Sequence, residues 1–150
     1  MIRTLKRLGY RFAMVSGGFT QITDRIAESL GFDFARANEL EIVDGRLTGR
    51  IVGDVVDRAG KAEALRRFAA QAGGREHVEV VGAVADRDRG PHRHAGLGIA
   101  FNAKPVVQQA AQTAVNVPYL DAIMYLLGIS REEIVAADAA AGIVTPAPPV

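Results

Sequence analysis

Between Arg11 and Leu30 the chain passes from an apolar run, ending Ala13-Met14-Val15, through Ser16-Gly17-Gly18 into a helical stripe. A buried strand, a glycine turn and an amphipathic helix in direct succession constrain the fold more than any other stretch. Such a unit needs a sheet to extend it and a helix layer to cover it. The stripe is Phe19, Ile22, Ile26 and Leu30, with Asp24, Arg25 and Glu28 on the other face and Gly31 as the stop.

The alternation continues along the chain. Ile2, Leu5 and Leu8 predict a short helix ended by Gly9, and Arg11–Val15 the strand that follows. Residues 40–43 and 46–51 flank Asp44-Gly45, a dipeptide suited to the positive φ angles of a two-residue hairpin turn. Ala62, Leu65, Phe68, Ala69 and Ala72 predict a helix that begins just after Gly60-Lys61 and ends at Gly73-Gly74, with a short strand at Val78–Val81. Leu97–Phe101 reads as a strand, Pro105 as the first turn of a helix running to about Gln112, and Ala114–Val117 as a last short strand. Leu120, Ile123, Met124 and Leu127 give a helix closed by Gly128, and Ser130-Arg131-Glu132-Glu133 a capping-box start for the final one. The implied architecture is one α/β domain over residues 1–141 with a mostly parallel sheet, followed by a flexible tail at 142–150. Such sheets carry their sites at the carboxyl ends of strands, where Ser16 and the stretch after Val81 fall.

Charge and composition narrow the partners. Eighteen Lys and Arg against seventeen Asp and Glu leave a net charge of +1, too little to draw the chain to nucleic acid or anionic lipid. The basic cluster Arg3, Lys6, Arg7 and Arg11 reads as a solvated helix face. The absence of cysteine excludes a disulfide framework, a thiolate metal site and a Cys nucleophile. No apolar run reaches the roughly 18 residues of a membrane span, and Met1–Lys6 leads into no signal-type apolar region, so a cytoplasmic, soluble protein is expected.

Val15-Ser16-Gly17-Gly18-Phe19 places a hydroxyl and backbone N–H groups at a positive helix end, which suits a phosphate and equally serves as a purely structural connection. Four further stretches follow it in order: Ala37-Asn38-Glu39-Leu40, Asp44-Gly45 with Thr48-Gly49, Asp57-Arg58-Ala59-Gly60-Lys61, and the run from Gly96 to Pro105. Together they resemble the phosphoserine phosphatase family of the haloacid dehalogenase superfamily, over nearly the whole chain. The resemblance implies a Rossmann-like core and Mg²⁺-dependent hydrolysis of O-phosphoserine through an aspartyl-phosphate, the last step of serine biosynthesis. It implies that Ser16 and the Gly17 N–H hold the phosphoryl group and that Lys61 is the catalytic and phosphate-binding cation.

Two departures accompany the resemblance. The family's nucleophile motif, Asp-x-Asp-x-Thr, does not occur in these residues and is expected upstream of Met1, with the cap residues that grip the substrate. The core is therefore expected without its first strand, which is central in the family, so Arg11–Val15 and Val78–Val81 would each lose a neighbour. Self-association, or a partner chain that supplies the strand, follows from that. The other departure is residues 74–95, where the family has Gly-Asp-Gly-x-Asn-Asp and this chain has Val81-Gly82-Ala83-Val84-Ala85-Asp86 and onward. Codons for His92-Arg93-His94-Ala95, read one base later, can give the Ile-Asp-Met-Leu that commonly follows that motif, which implies a shifted reading frame. Asp86 and Asp88 are then either substitute Mg²⁺ ligands or solvated charges, and His92 and His94 an imidazole pair without further ligands. These residues alone are expected to be inactive; the alternatives are a phosphate-binding remnant and one part of a split protein.

Overall fold

The computed structural model describes residues 1–73, 79–82 and 97–146. It begins with α1 (Ile2–Arg7) and β1 (Ala13–Phe19), which runs directly into α2 (Thr20–Leu30). A hairpin of β2 (Phe34–Val43) and β3 (Arg46–Val52) precedes α3 (Arg58–Gln71). The second half comprises β4 (Glu79–Gly82), β5 (Leu97–Phe101), α4 (Pro105–Gln108), β6 (Thr113–Val115), α5 (Ala122–Leu126) and α6 (Arg131–Ala140). The expected α/β alternation is therefore present.

The strands form two sheets of three, in the orders β1-β2-β3 and β4-β5-β6. β1 and β2 are parallel, β2 and β3 antiparallel, and both pairings in the second sheet are parallel. Among the described residues β1 is paired only with β2 and β4 only with β5, so each sheet ends on a strand with one open side. This is the arrangement expected of a sheet whose central strand is absent from these residues.

Local chemistry explains the element ends. Gly31 closes α2 at φ 68°, a left-handed conformation that costs glycine little. Asp44 and Gly45 take φ values of 50° and 74°, as a two-residue turn between right-twisted strands requires. The capping box of α6 is complete: Ser130 Oγ accepts from the Glu133 N–H at 3.2 Å, and the Glu133 carboxylate accepts from the Ser130 N–H at 2.8 Å.

Several boundaries differ from the sequence reading. β1 continues through Ser16-Gly17-Gly18 to Phe19, although its pairing with β2 shifts register between Val15 and Phe19. The glycines interrupt the ladder without ending the strand. α3 starts three residues before Lys61, because the Asp57 carboxylate caps it by accepting from the Gly60 N–H at 2.8 Å. A β-carbon on Gly60 would sit 3.1 Å from the Val55 carbonyl oxygen, so glycine lets the chain enter the helix this tightly. α4 is one turn long and stops at Gln108, short of Gln112.

The apolar stripe of α2 is also not its buried face. Ile22 is 63% exposed and Phe19, Ile26 and Leu30 are 37–40% exposed, whereas Thr23 and Ala27 are buried. These two small side chains, one turn apart, are the buried positions of a helix that packs against β1 and β2. The larger ones are each more than a third exposed, Ile22 most of all.

Packing is split like the sheets. In the first half Phe34 on β2 stacks on Phe68 of α3 at a centroid distance of 5.0 Å, with Val56 and Ala64 buried. In the second, Ala100, Ala103 and Val107 form one buried cluster, and Ile99 and Ile123 are fully enclosed.

Charged contacts tie the connections of the first half and, through Arg7 and Asp138, link α1 to α6. Asp33 accepts from the Phe12 N–H at 2.8 Å and pairs with Arg11 at 2.9 Å and Lys6 at 3.2 Å. Buried Asp138 on α6 accepts from Arg7 Nε on α1 and from the Thr145 hydroxyl, both at 2.8 Å. Arg131 also donates to the Pro146 carbonyl at 2.7 Å, so residues 143–146 lie back along α6. Lys6, Arg7 and Arg11 of the basic cluster thus each face a carboxylate.

Both carboxyls are held below the ordinary value of 3.8. At Asp33 burial raises the pKa, and the Phe12 N–H, Arg11 and Lys6 together outweigh it. At Asp138 the Thr145 hydroxyl acts first, against burial and ahead of Arg7. A carboxyl with a depressed native pKa stabilises the fold fully above its unfolded value and ceases to do so as pH falls through the native one. The melting temperature should therefore hold from neutral pH down to about pH 4 and drop below it. In the Asp33→Asn, Asp138→Asn double variant the melt should start lower and its acid drop should shrink.

Candidate functional site

Ser16 lies in the interrupted part of β1, half-buried, and its Oγ accepts from the Gly18 N–H at 3.0 Å. A serine hydroxyl that accepts one bond still has its own proton to donate. A β-carbon on Gly18 would come within 3.2 Å of Ser16 Oγ, so a larger residue there would press on this turn. Gly17 is exposed, and its carbonyl accepts from Asn38 Nδ2 at 2.9 Å. Three residues later α2 begins at Thr20, with no acidic side chain in its first turn to compete for its N–H groups.

Lys61 sits in the first turn of α3, half-buried. α3 packs against β1, so the helix that carries Lys61 rests on the strand that carries Ser16 and Gly17. Val56, just ahead of α3, approaches Gly17 closely: a β-carbon on Gly17 would stand 3.6 Å from the Val56 carbonyl oxygen. The sequence reading placed Ser16, Gly17 and Lys61 together, and their supporting elements are in contact.

That reading assigned no role to Asn38. It is 6% exposed on β2, and its amide makes two bonds at once: Nδ2 donates to the Gly17 carbonyl, and Oδ1 accepts from the Val56 N–H at 2.7 Å. The strand was expected only from Leu40, whereas β2 starts at Phe34, so Asn38, a residue type costly to bury without partners, was not recognised as lying inside a strand. Asp57, the cap of α3, was likewise read only as part of a motif.

A cleft of about 570 Å³ lies between α2, β2, β3 and α3, lined by Asp24, Arg36, Glu39, Asp54 and Arg67 among others. It includes none of Ser16, Gly17 and Lys61, so its size does not mark the phosphate-type residues. Among the described residues no three His, Cys, Asp or Glu side chains come together to hold a metal ion. Asp86, Asp88, His92, His94 and the stretch read as frame-shifted lie outside the described residues. Among the described residues no helix is long and apolar enough to cross a membrane.

The haloacid dehalogenase-like hydrolase family matches residues 1–89. The chain is 64% identical over 138 residues to a phosphoserine phosphatase of Streptomyces coelicolor, a match covering 92% of this chain and 34% of that relative. It resembles the unliganded crystal structure of a probable phosphoserine phosphatase from Vibrio cholerae with a TM-score of 0.77 at 38% identity, over 93% of this chain and 42% of that one. A substrate-bound phosphoserine phosphatase complex is similar with a TM-score of 0.75 at 38% identity, over 83% of this chain and 60% of the other. The chain thus spans about a third of the length of the Streptomyces coelicolor relative and of a Mycobacterium tuberculosis one.

Replacing Asn38 by Ala would leave the Gly17 carbonyl and the Val56 N–H without their partner, a loss of about 1–3 kcal/mol. Urea unfolding should show it as a lower midpoint with an unchanged slope.

Proposed function

The chain belongs to the haloacid dehalogenase-like hydrolase family, and on that premise we propose that it forms part of a phosphatase that hydrolyses O-phosphoserine to serine and phosphate. Residues 1–141 are taken as part of the catalytic domain and 142–150 as a tail. The observation that carries the proposal is the placement of the Ser16-Gly17-Gly18 turn at the start of α2, on the same strand that α3 packs against with Lys61 in its first turn. Similarity to the phosphoserine phosphatases of Streptomyces coelicolor and Vibrio cholerae supports the choice of substrate.

In this reading Ser16 Oγ, already oriented by the Gly18 N–H, donates its proton to a phosphoryl oxygen. The Gly17 N–H makes a second bond to the group, and the Lys61 ammonium offsets the charge that develops there. Mg²⁺ enters the proposal as the expected cofactor. The described residues supply no ligand set for it, so no step is assigned to it here. The protein is proposed to act in serine biosynthesis in the cytoplasm on a small phosphomonoester, with neither nucleic acid nor membrane as partner.

No Asp-x-Asp-x-Thr occurs in these residues, so the covalent step has no nucleophile among them. Incubated with Mg²⁺ and O-phosphoserine, the chain alone should release no phosphate above buffer. Release that disappears in Ser16→Ala or Lys61→Ala would overturn this. Inorganic phosphate should still bind, and either substitution should weaken it by about tenfold to a hundredfold, since a hydrogen bond to a charged group contributes about 1.5–3 kcal/mol. An NMR titration of the backbone amides measures it.

The one-sided pairing of β1 and β4 favours a second reading, in which another polypeptide segment adds the strand between them. A peptide with a strand sequence ending in Asp-x-Asp-x-Thr should then raise the melting temperature progressively with the logarithm of its concentration above Kd. An unchanged melt at saturating peptide would count against it.

A further inference from the structure

Two irregular pieces of backbone meet at Asn38. One is the stretch from Val15 to Phe19, where β1 advances four residues while β2 advances two, so the ladder does not fix Ser16, Gly17 and Gly18. The other is the connection after β3, which ends at Val52, and before α3, which starts at Arg58. Backbone in neither ladder nor helix is placed by whatever hydrogen bonds it finds. Both segments find the same side chain, through the Gly17 carbonyl at 2.9 Å and the Val56 N–H at 2.7 Å.

The amide is suited to this task. It is planar and offers a donor and an acceptor on one rigid group, and here it is buried in the low-dielectric interior where such bonds are strongest. Asp, nearly identical in shape, would keep the acceptor for Val56 and, when ionised, set a second oxygen against the Gly17 carbonyl. Downstream of Val56 the geometry continues without slack: Asp57 caps α3, and Lys61 follows one turn on.

We propose that Asn38 is a positioning residue that fixes the separation between the Ser16–Gly17 turn and the Lys61 end of α3, so that both reach one phosphoryl group. The inference rests on the phosphate reading above and adds the part that holds the two halves of that site in register. A side chain that only filled the interior would affect stability alone. A positioning side chain changes the affinity of molecules that remain folded.

The test uses the ¹⁵N-labelled chain titrated with inorganic phosphate, as wild type, Ser16→Ala, Lys61→Ala and Asn38→Asp, each at a temperature below its melt. The expected result is a dissociation constant raised about tenfold in Asn38→Asp, with the Gly17, Gly18 and Lys61 amide signals displaced before phosphate is added and those of α2 unmoved. Should Asn38→Asp not fold, Asn38→Ser carries the same comparison. Wild-type affinity in the folded Asn38 variant, with Ser16→Ala weakened, would overturn the inference and leave the phosphate reading standing. If wild-type chain shows no phosphate-dependent shift, or Ser16→Ala binds as wild type does, the phosphate reading fails and the inference fails with it.

Discussion

Asn38 stands where three parts of the first half-sheet come together: the interrupted end of β1, the middle of β2 and the approach to α3. Its two hydrogen bonds lie at the gap in the β1–β2 ladder between Val15 and Phe19, where β1 advances four residues and β2 two before pairing resumes at Phe19 and Asn38. A continuous ladder would have held the Ser16-Gly17-Gly18 segment flat against β2. The interruption releases it from that ladder until Phe19, and within the gap the Asn38 amide holds it through the Gly17 carbonyl. The Asp57 cap, the tight entry at Gly60 and the placement of Lys61 all lie downstream of the bond to Val56.

Around that point the molecule is arranged in two partial sheets, each with a small apolar core and an open strand. Open strands present unpaired backbone groups, which proteins ordinarily cover or pair. The large apolar side chains of α2 are exposed in the same half. These features accord with a chain that spans only part of the length of its relatives, about a third for the Streptomyces coelicolor phosphoserine phosphatase. Long-range carboxylate contacts, Asp138 with Arg7 and Asp33 with Arg11 and Lys6, tie the chain ends and the connections where apolar packing is thin.

Much of this was legible in the sequence because the signals are local. Gly31 and Gly128 mark left-handed helix ends, Asp44-Gly45 the hairpin, Ser130 with Glu133 the capping box, and Leu97–Phe101 a strand with its observed bounds. The helix start at Arg58 was missed because Gly60 reads as a breaker, whereas the Asp57 carboxylate that binds its N–H makes it part of the first turn. The buried face of α2 was missed for a different reason. Periodicity reports which residues share a face, but it does not say whether the surface that face needs lies within these residues.

The sequence by itself determined the order of elements, their turn and cap chemistry, and the resemblance that singled out Ser16, Gly17 and Lys61, since each depends on residues a few positions apart or on an ordered set of short motifs. Only the tertiary structure decided that the strands form two sheets and that Thr23 and Ala27 are the buried positions of α2. It also decided that Asn38 joins Gly17 to Val56. The physical reason is range: Asn38 lies 21 residues from one partner and 18 from the other, and pairing across such separations depends on where the whole chain places its backbone.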